Sequence, residues 1–187
     1  MISWVRDLNN IDDDIISAKR KIKEILINDS DVILALNDKE SIKDSRKANN
    51  RTIFSFVRIP GTTTEIKNYI GFQIGDTAIS ANSFSAKDNK ITKIQTISLV
   101  VFCHADDIDT GFGIERHDLI GYFIREIFSW SNPLDMQWRL VDNSESITDT
   151  DYSCRTLKFE AVKLNNITKQ QKIINNIYNP VIRGDMS

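Results

Sequence analysis

The chain has 187 residues, of which 41% are hydrophobic and 27% are charged, and its formal net charge is −2. This length suits one domain with a full hydrophobic core and leaves little room for a second domain. The apolar content is that of an ordinary globular protein, which excludes wholesale disorder. The near-neutral charge argues against a nucleic-acid-binding protein, because such proteins carry a strongly basic face, and we expect no sequence-specific nucleic-acid partner.

The sequence carries no recognisable signal for secretion or membrane insertion. Its first residues, MISWVRDLNNIDDD, become acidic before any apolar run that could serve as a signal sequence. No run approaches the roughly 20 apolar residues of a membrane span. Cys103 and Cys154 lie in apolar, strand-like runs, which leaves open a disulfide or two buried thiols in a reducing cytosol, and the thiols fit better. The chain is therefore expected to be soluble and intracellular, with no membrane partner.

The N-terminal region is predicted to be helical. Apolar residues recur at helical spacing over residues 14–28, and the aspartates at 12–14 provide an N-cap and a favourable charge for the helix dipole. Ser30 is a candidate N-cap for a short second helix over residues 31–36. Residues 39–50 are charged and show no apolar periodicity, so they are expected to form a connector.

Strand-like segments dominate the middle of the chain. β-branched and aromatic residues are enriched in five segments, at residues 52–59, 68–74, 92–103, 137–142 and 154–162. The first segment stops at a Pro-Gly turn signal, so the first two are expected to pair as a hairpin. The third is apolar on both faces in its second half, which is typical of a covered central strand.

A long polar stretch separates two of these strands. Residues 75–91 are mostly small and polar, without periodicity, and are predicted to form a long loop. Its single aromatic residue, Phe84, would suit a flexible arm that becomes ordered on a neighbouring molecule. A disordered hairpin tip is the alternative.

A second amphipathic helix is predicted over residues 116–130, where apolar residues form a wide stripe on one side. A further helix is expected in the tail, residues 167–187. The order of elements favours a single α+β domain over residues 1–166, with a mostly antiparallel sheet of four to five strands. The N-terminal helix and the central amphipathic helix are expected to pack on one face of that sheet.

The segment before the second amphipathic helix collects both histidines and many acids. A small metal-dependent hydrolase or nuclease could use these residues, which are His104, Asp106, Asp107, Glu115 and His117. However, the histidines are not four apart on one helix, and the acids do not follow a calcium-loop pattern. Asp and Gly are also what turns select, and acids are favoured in the first turn of a helix. We therefore predict a structural loop with no catalytic residue, metal or cofactor, and keep the hydrolase as the alternative.

A succession of segments resembles the tail terminator (tail completion, head–tail joining) proteins of tailed bacteriophages. "DSDVILAL" is similar to a short helix of that family, and "IFSFVRIPGTTTEIKNYIGFQI" is similar to its two strands and the turn between them. "ISLVVFCHADDIDTGFGIERHDLIGYFIREIF" resembles its central strand, a histidine-containing loop and the helix that follows. The family opens this helix with Arg-x-Asp-Leu and closes it near Ile-Phe, which here correspond to Arg116, Asp118, Leu119, Ile127 and Phe128.

The closing strand of the family is also represented. "YSCRTLKFEAVKLNN" resembles its Tyr-x-x-Arg-x-Leu-x-Phe pattern, with Tyr152, Arg155, Leu157 and Phe159 at the matching positions. The resemblance covers about residues 11–166. Two departures, Ser129-Trp130 and the additional helix after Lys163, leave the branch of phage open.

The resemblance implies a structural virion protein rather than an enzyme. Proteins of this family form a homohexameric ring that ends the growing tail tube and presents a surface to the neck or connector. The expected partners are further copies of the chain, the tail tube protein and the neck or connector proteins, with DNA able to pass through the ring. The expected location is the virion, after assembly in the host cytoplasm. Candidate interface residues are Phe84, Ile79, Arg116 and Trp4.

Overall fold

The computed structural model describes residues 14–57, 66–78, 90–147 and 151–166. Trp4, Ile79, Phe84 and the predicted C-terminal helix therefore lie outside the described residues. The helices are α1 (Asp14–Asn28), α2 (Ser30–Ala35), α3 (Lys39–Lys43) and α4 (Arg116–Trp130). The strands are β1 (Ile53–Phe54), β2 (Tyr69–Ala78), β3 (Lys90–His104), β4 (Arg139–Ile147) and β5 (Tyr152–Asn166).

The five strands form one sheet in the order β1-β2-β3-β5-β4. The pairs β2–β3, β3–β5 and β4–β5 are antiparallel. The predicted α+β class, with a mostly antiparallel sheet, is confirmed. The predicted hairpin between the first two strands is wrong, because β1 pairs with β2 in parallel and through only two residues, Ile53 and Phe54. β-Propensity reports side chains that suit a sheet, and it fixes neither the direction nor the length of the pairing.

One face of the sheet carries the main hydrophobic core. Alternate residues of the central strands point to this face, as the period of two requires, and the helices α1 and α4 cover it. Phe128 of α4 stacks on Phe159 of β5 with ring centroids 4.7 Å apart, and Trp138 meets Phe128 edge-on at 6.0 Å. The apolar stripe predicted on each helix is therefore the surface that the sheet buries.

Two strands extend into the segment predicted as a long loop over residues 75–91. Gly75–Ala78 belongs to β2, and β3 begins at Lys90, with Ala78 paired to Lys93. The loop prediction was therefore wrong at both ends, because pairing to an adjacent strand overrides a composition that is locally loop-like. β4 likewise continues to Ile147, into a stretch of polar sequence.

The opposite face of the sheet carries a smaller cluster, in which Phe102, Tyr152 and Cys154 are buried. Cys103 belongs to the main core on the other face, so the two thiols lie on opposite sides of the sheet and do not form a disulfide. Burial raises the pKa of both thiols, that of Cys154 to about 11. Both cysteines therefore stay protonated and behave as small core residues.

The short helices between α1 and β1 are held by aspartate caps. The N-cap of α2 is Asp29, whose carboxylate accepts from the N–H groups of Asp31 and Val32, so the prediction of Ser30 as the cap was wrong by one residue. The expected connector contains α3 and a 3-10 helix over Ser45–Ala48. Within the described residues, no helix has the length and apolarity needed to cross a bilayer.

Candidate functional site

The loop between β3 and α4 contains the residues that the sequence suggested as candidate metal ligands. Asp107 lies at its centre, and its carboxylate accepts hydrogen bonds from three side chains that are far apart in the chain. Asn68 Nδ2 donates to Oδ2 at 2.7 Å, while Asn37 Nδ2 and Arg116 Nη2 each donate to Oδ1 at 3.0 Å. Both oxygens of the Asp107 carboxylate therefore accept hydrogen bonds from this chain. A cation could bind there only by displacing the donor side chains.

Arg116 holds the other side of this network. Its guanidinium donates to the carbonyl of Asp107 at 2.6 Å and to that of Asp109 at 3.3 Å. It also donates to the carbonyl of Ala35 at 2.9 Å, at the end of α2, where a cation is favoured by the helix dipole. Only 9% of Arg116 is exposed. The structure thus places this candidate interface residue in the interior, where it fixes the loop to α2.

Asn68 joins the network to the sheet. Its Nδ2 donates to the carbonyl of Leu36 at 3.0 Å, and its Oδ1 accepts from the N–H of His104 at 3.2 Å. One amide side chain therefore connects α2, the start of β2, the end of β3 and the loop. Asn68 and Asn37 could not be predicted as site residues, because neither has a local pattern that distinguishes it from other polar residues at an element boundary.

The two histidines have different surroundings. His104 Nδ1 accepts from the N–H of Asp106 at 3.1 Å, and its ring meets Tyr152 edge-on with centroids 5.2 Å apart. His117 is 3% exposed and lies in the first turn of α4. Its Nε2 is 3.5 Å from a carboxylate oxygen of Glu115 and 3.8 Å from one of Asp118.

Among the described residues, Glu115, His117 and Asp118 are the group whose candidate ligand atoms all lie within 4.8 Å of one another. The separations at His117 Nε2 are near those of two ligands sharing a tetrahedral cation with bonds of about 2.0–2.2 Å. However, Asp118 is already bound by the guanidinium of Arg155. The Nδ1 of His117 has no hydrogen-bond partner in the described part of the chain, whereas metal-bound histidines almost always donate through their second nitrogen.

The structure therefore divides the predicted set of candidate ligands. Asp107 belongs to the Arg116 network, and His104 interacts with Asp106 beside it. Glu115 and His117 belong to the separate group that includes Asp118. No constellation of nucleophile, base and orienting acid is formed by these residues. The chemistry they support best is hydrogen bonding within the fold, and the second group also has candidate ligand atoms close enough together to share a cation.

Two of the segments that carry the phage resemblance are joined by an ion pair. Arg155 of β5 binds Asp118 of α4, and its Nε donates to Asn143 Oδ1 of β4 at 3.0 Å. Gly121 makes this contact possible, since a Cβ at that position would lie 2.6 Å from Arg155 Cδ. A glycine in the middle of a helix is costly, and here it allows the arginine side chain to pass close to the helix backbone.

The outer half of the loop, residues 109–115, forms a turn that we call the Phe112 loop. Asp109 and Glu115 form an antiparallel bridge at its base, and Thr110 Oγ1 donates to the carbonyl of Ile114 at 2.6 Å. The glycines at 111 and 113 both have positive φ, at 77° and 72°, which L side chains rarely adopt. Phe112 lies between them at the tip and is 84% exposed. Gly-Phe-Gly is the local sequence signal of this turn, although Phe112 was not among the predicted site residues.

Comparison with known proteins identifies one family. A comparison with curated proteins gives no match. The YomW family matches residues 20–161, which include α4, all five strands apart from the last five residues of β5, and the whole loop described above. Its description consists of the name alone and states no activity, ligand or partner. Since the match covers most of the chain, this protein belongs to the YomW family.

Proposed function

We propose that this protein is a structural component of a phage virion. In this role it forms a ring at the head-proximal end of the tail, terminates the tail tube and joins it to the neck or connector. The resemblance of its segments to tail terminator proteins is the basis of the proposal, and membership of the YomW family is compatible with a phage origin.

The observation that best supports an assembly role is the number of large apolar side chains left at the surface. Phe112 at the loop tip, Trp130 at the end of α4 and Ile147 at the end of β4 are 84%, 77% and 86% exposed. Single exposed apolar residues are common, but large aromatic side chains at the tips and ends of elements are typical of surfaces that are covered in a complex. A ring subunit needs such surfaces on at least two sides.

Charged residues of the acidic loop form ion pairs within the chain, which agrees with a structural role. In the described part of the chain, Asp107 and Arg116 satisfy each other and the adjacent backbone. Asp118 and Arg155 connect α4 to β5 in the same way. A structural protein needs charged groups of this kind to fix a loop, whereas an enzyme would direct some of them towards a substrate.

The direct test is to locate the protein and determine its assembly state. Purified protein would be analysed by mass photometry and negative-stain microscopy, and tails from the corresponding phage or induced prophage would be labelled with antibody. We expect closed rings, or label at the head-proximal end of the tails. A protein that is monomeric at all concentrations and absent from tails would overturn the proposal.

The second candidate function is a metal-dependent hydrolase, for which the group of Glu115, His117 and Asp118 provides the specific observation. It differs from the set predicted from the sequence by including Asp118 and excluding His104, Asp106 and Asp107. Metal analysis of protein purified without chelators would test it. Stoichiometric zinc or manganese that is lost in His117→Ala would favour this candidate over a purely structural protein.

A further inference from the structure

His117 is a buried imidazole that makes no hydrogen bond within the described residues. Its side chain is 4% exposed, and its Nδ1 is enclosed by the protein without an acceptor or a donor. His104 differs, because its Nδ1 accepts from the N–H of Asp106. Burying a polar group without a partner is costly, so each such group needs an explanation, and an ion that the group binds is one.

The other ring nitrogen of His117 is directed at two carboxylates. Nε2 lies 3.5 Å from Oε2 of Glu115 and 3.8 Å from Oδ1 of Asp118. Two ligands of a tetrahedral zinc ion with bonds of about 2.0–2.2 Å are about 3.4 Å apart. The candidate ligand atoms of all three residues lie within 4.8 Å of one another. The Glu115 side chain is 62% exposed, so a small rotation closes the remaining gap.

Arg155 holds Asp118 in position. Its guanidinium binds Oδ1 of Asp118 and donates to Oδ1 of Asn143. Within the part of the chain that the structure describes, no hydrogen bond reaches the second carboxylate oxygen of Asp118, Oδ2. Carboxylates that ligate metals are usually hydrogen-bonded by an outer residue, which fixes their orientation. Arg155 is therefore a positioning residue, and Asp118 keeps one oxygen for a cation.

The charges around these residues favour a cation, but only weakly. Glu115 and Asp118 supply two negative charges. Arg155 offsets one of them, and the positive end of the α4 dipole offsets about half of an elementary charge. Asp106 and Asp109, which are exposed in the adjoining segment, add to the negative excess. The site should therefore be weaker than a closed structural zinc centre, in which all four ligands are protein side chains.

We propose that Glu115, His117 and Asp118 bind one divalent metal ion of the zinc class. The ligands are Nε2 of His117 and one oxygen of each carboxylate, and water takes the fourth position. An imidazole ligand suits zinc better than magnesium or calcium, which prefer oxygen ligands. Glu115 also forms the bridge at the base of the Phe112 loop, so the ion joins that loop to α4. The inference goes beyond the proposed function, because a single chain supplies all three ligands, and it includes no hydrolysis.

The first measurement is zinc binding to protein purified without a histidine tag. After removal of metals with a chelator, zinc chloride is titrated by calorimetry, with magnesium and calcium chloride as comparison salts. We expect one zinc ion per chain and much weaker binding of the other two ions. Zinc should also raise the melting temperature, because a ligand that binds only the folded state stabilises it. No zinc binding, or equal binding of the three ions, would overturn the inference.

The second measurement removes one ligand. Glu115→Gln carries little risk to the fold, because this side chain is exposed and makes no capping hydrogen bond to α4. Loss of an outer partner typically weakens metal binding by about 10–100-fold, and loss of a direct ligand should cost at least as much. Asp106→Asn is the matched control, since it removes one negative charge at another exposed position of the same segment, and it should bind zinc nearly as the wild type does. Equal losses in the two variants would mean that the acidity of the segment alone attracts zinc, and the inference would fail.

The third measurement reads His117 directly by nuclear magnetic resonance, which is simple because the chain contains two histidines. Zinc should shift the ring-nitrogen signals of His117 and leave those of His104 unchanged, and His104→Gln assigns the two sets. A shift of both histidines alike, of His104 alone or of neither would rule out the proposed ligand set. Rings and labelled tails are measured separately, so failure of this site leaves the proposed function standing.

Discussion

The two halves of the β3–α4 loop use opposite chemistry. The inner half, around Asp107, is charged and hydrogen-bonded to α2, β2 and α4, and its polar groups face other parts of the same chain. The outer half has an aromatic residue at its tip that contacts little of its own chain. In a sequence, acids and histidines suggest function and a phenylalanine suggests a core. Here Asp107 is hydrogen-bonded into the framework of the fold, whereas Phe112 is exposed at the surface.

The strongest test of this comparison is a substitution that removes the hydrogen bonds of the inner half of the loop. Arg116→Met should lower the free energy of unfolding by about 3–5 kcal/mol, because it leaves Asp107 without its charged partner and a carbonyl at the end of α2 without a donor. Urea denaturation followed by circular dichroism would measure this loss. Arg125→Met on the same helix is the control, and it should cost less than about 1 kcal/mol, because the Arg125 guanidinium lies over the half-exposed ring of Tyr122 and a cation–π contact at such a site is weak. Equal losses in the two variants would show that the network does not hold the loop.

The next largest effect on the free energy of unfolding is expected in α4, where one aromatic side chain is partly buried and another is fully buried. Phe123 is only partly buried against the core, whereas Phe128 is about 1% exposed. Phe123→Ala should therefore cost about 2 kcal/mol, well below the roughly 3–5 kcal/mol expected for a fully buried aromatic residue. Phe128→Ala provides that reference in the same urea titration. A loss for Phe123→Ala as large as that for Phe128→Ala would mean that this side of α4 is more deeply packed than its exposure indicates.

A smaller effect on the free energy of unfolding is expected from the ion pair of Asp38 and Arg51, in which Asp38 directly follows Asn37 in the chain. Burial alone would raise the pKa of Asp38, but hydrogen bonds from Arg51 and Ser41 outweigh it and hold the pKa below its usual value. A carboxyl group whose pKa is lower in the folded state stabilises the protein above its unfolded pKa. This stabilisation is lost as the pH falls through the folded pKa.

The expected size is about 1 kcal/mol, because Arg51 is partly exposed to solvent, which weakens the pair. Unfolding free energies at pH 7 and pH 3 would be compared for the wild type and for Arg51→Met. The variant should lose less stability on acidification than the wild type. If both lose the same amount, the pair contributes nothing to the acid sensitivity of the fold.

The smallest effect is expected at the exposed edge of the inner half. Replacing both His104 and Asp106 with Ala should leave metal content and assembly unchanged, since the contact between them is local and Asp106 is exposed. Elemental analysis and mass photometry would measure the two properties. Stoichiometric zinc or manganese that disappears in the double variant would contradict the structural interpretation of this part of the loop.

The helices could be predicted closely from the sequence because their signal is local. The predicted ranges 14–28 and 116–130 agree with α1 and α4, where apolar residues recur at helical spacing over four turns. The α+β class followed from the order of the elements. The first predicted strand was too long, since only Ile53 and Phe54 of residues 52–57 are paired. The other strands were located correctly but made too short, because the ends of β2, β3 and β5 have polar sequences that only pairing with a neighbour makes regular.

The polar network could not be predicted in the same way. Asn37, Asn68, Asp107 and Arg116 come from four separate parts of the chain, and no local spacing indicates that they meet. The Phe112 loop is different, since Gly-Phe-Gly between two acids is a local signal of a turn with an exposed centre. Phe112 was not predicted as a site residue because the nearby histidines and acids are the residue types that usually carry chemistry.

The pairing of β3 with β5 also determines how the chain folds. These strands form the longest ladder of the sheet, and their partners are distant in sequence, from His104 with Tyr152 at one end to Lys90 with Asn166 at the other. Contacts between such distant residues slow folding, because a long segment must lose its freedom before the ladder can form. During synthesis, β5 is made after α4 and β4. Until then the apolar run of β3, Leu99-Val100-Val101-Phe102, is unpaired on the side that β5 will occupy. We therefore expect nascent or refolding chains to aggregate through β3 at high concentration, and cooler, dilute conditions to improve recovery of the folded protein.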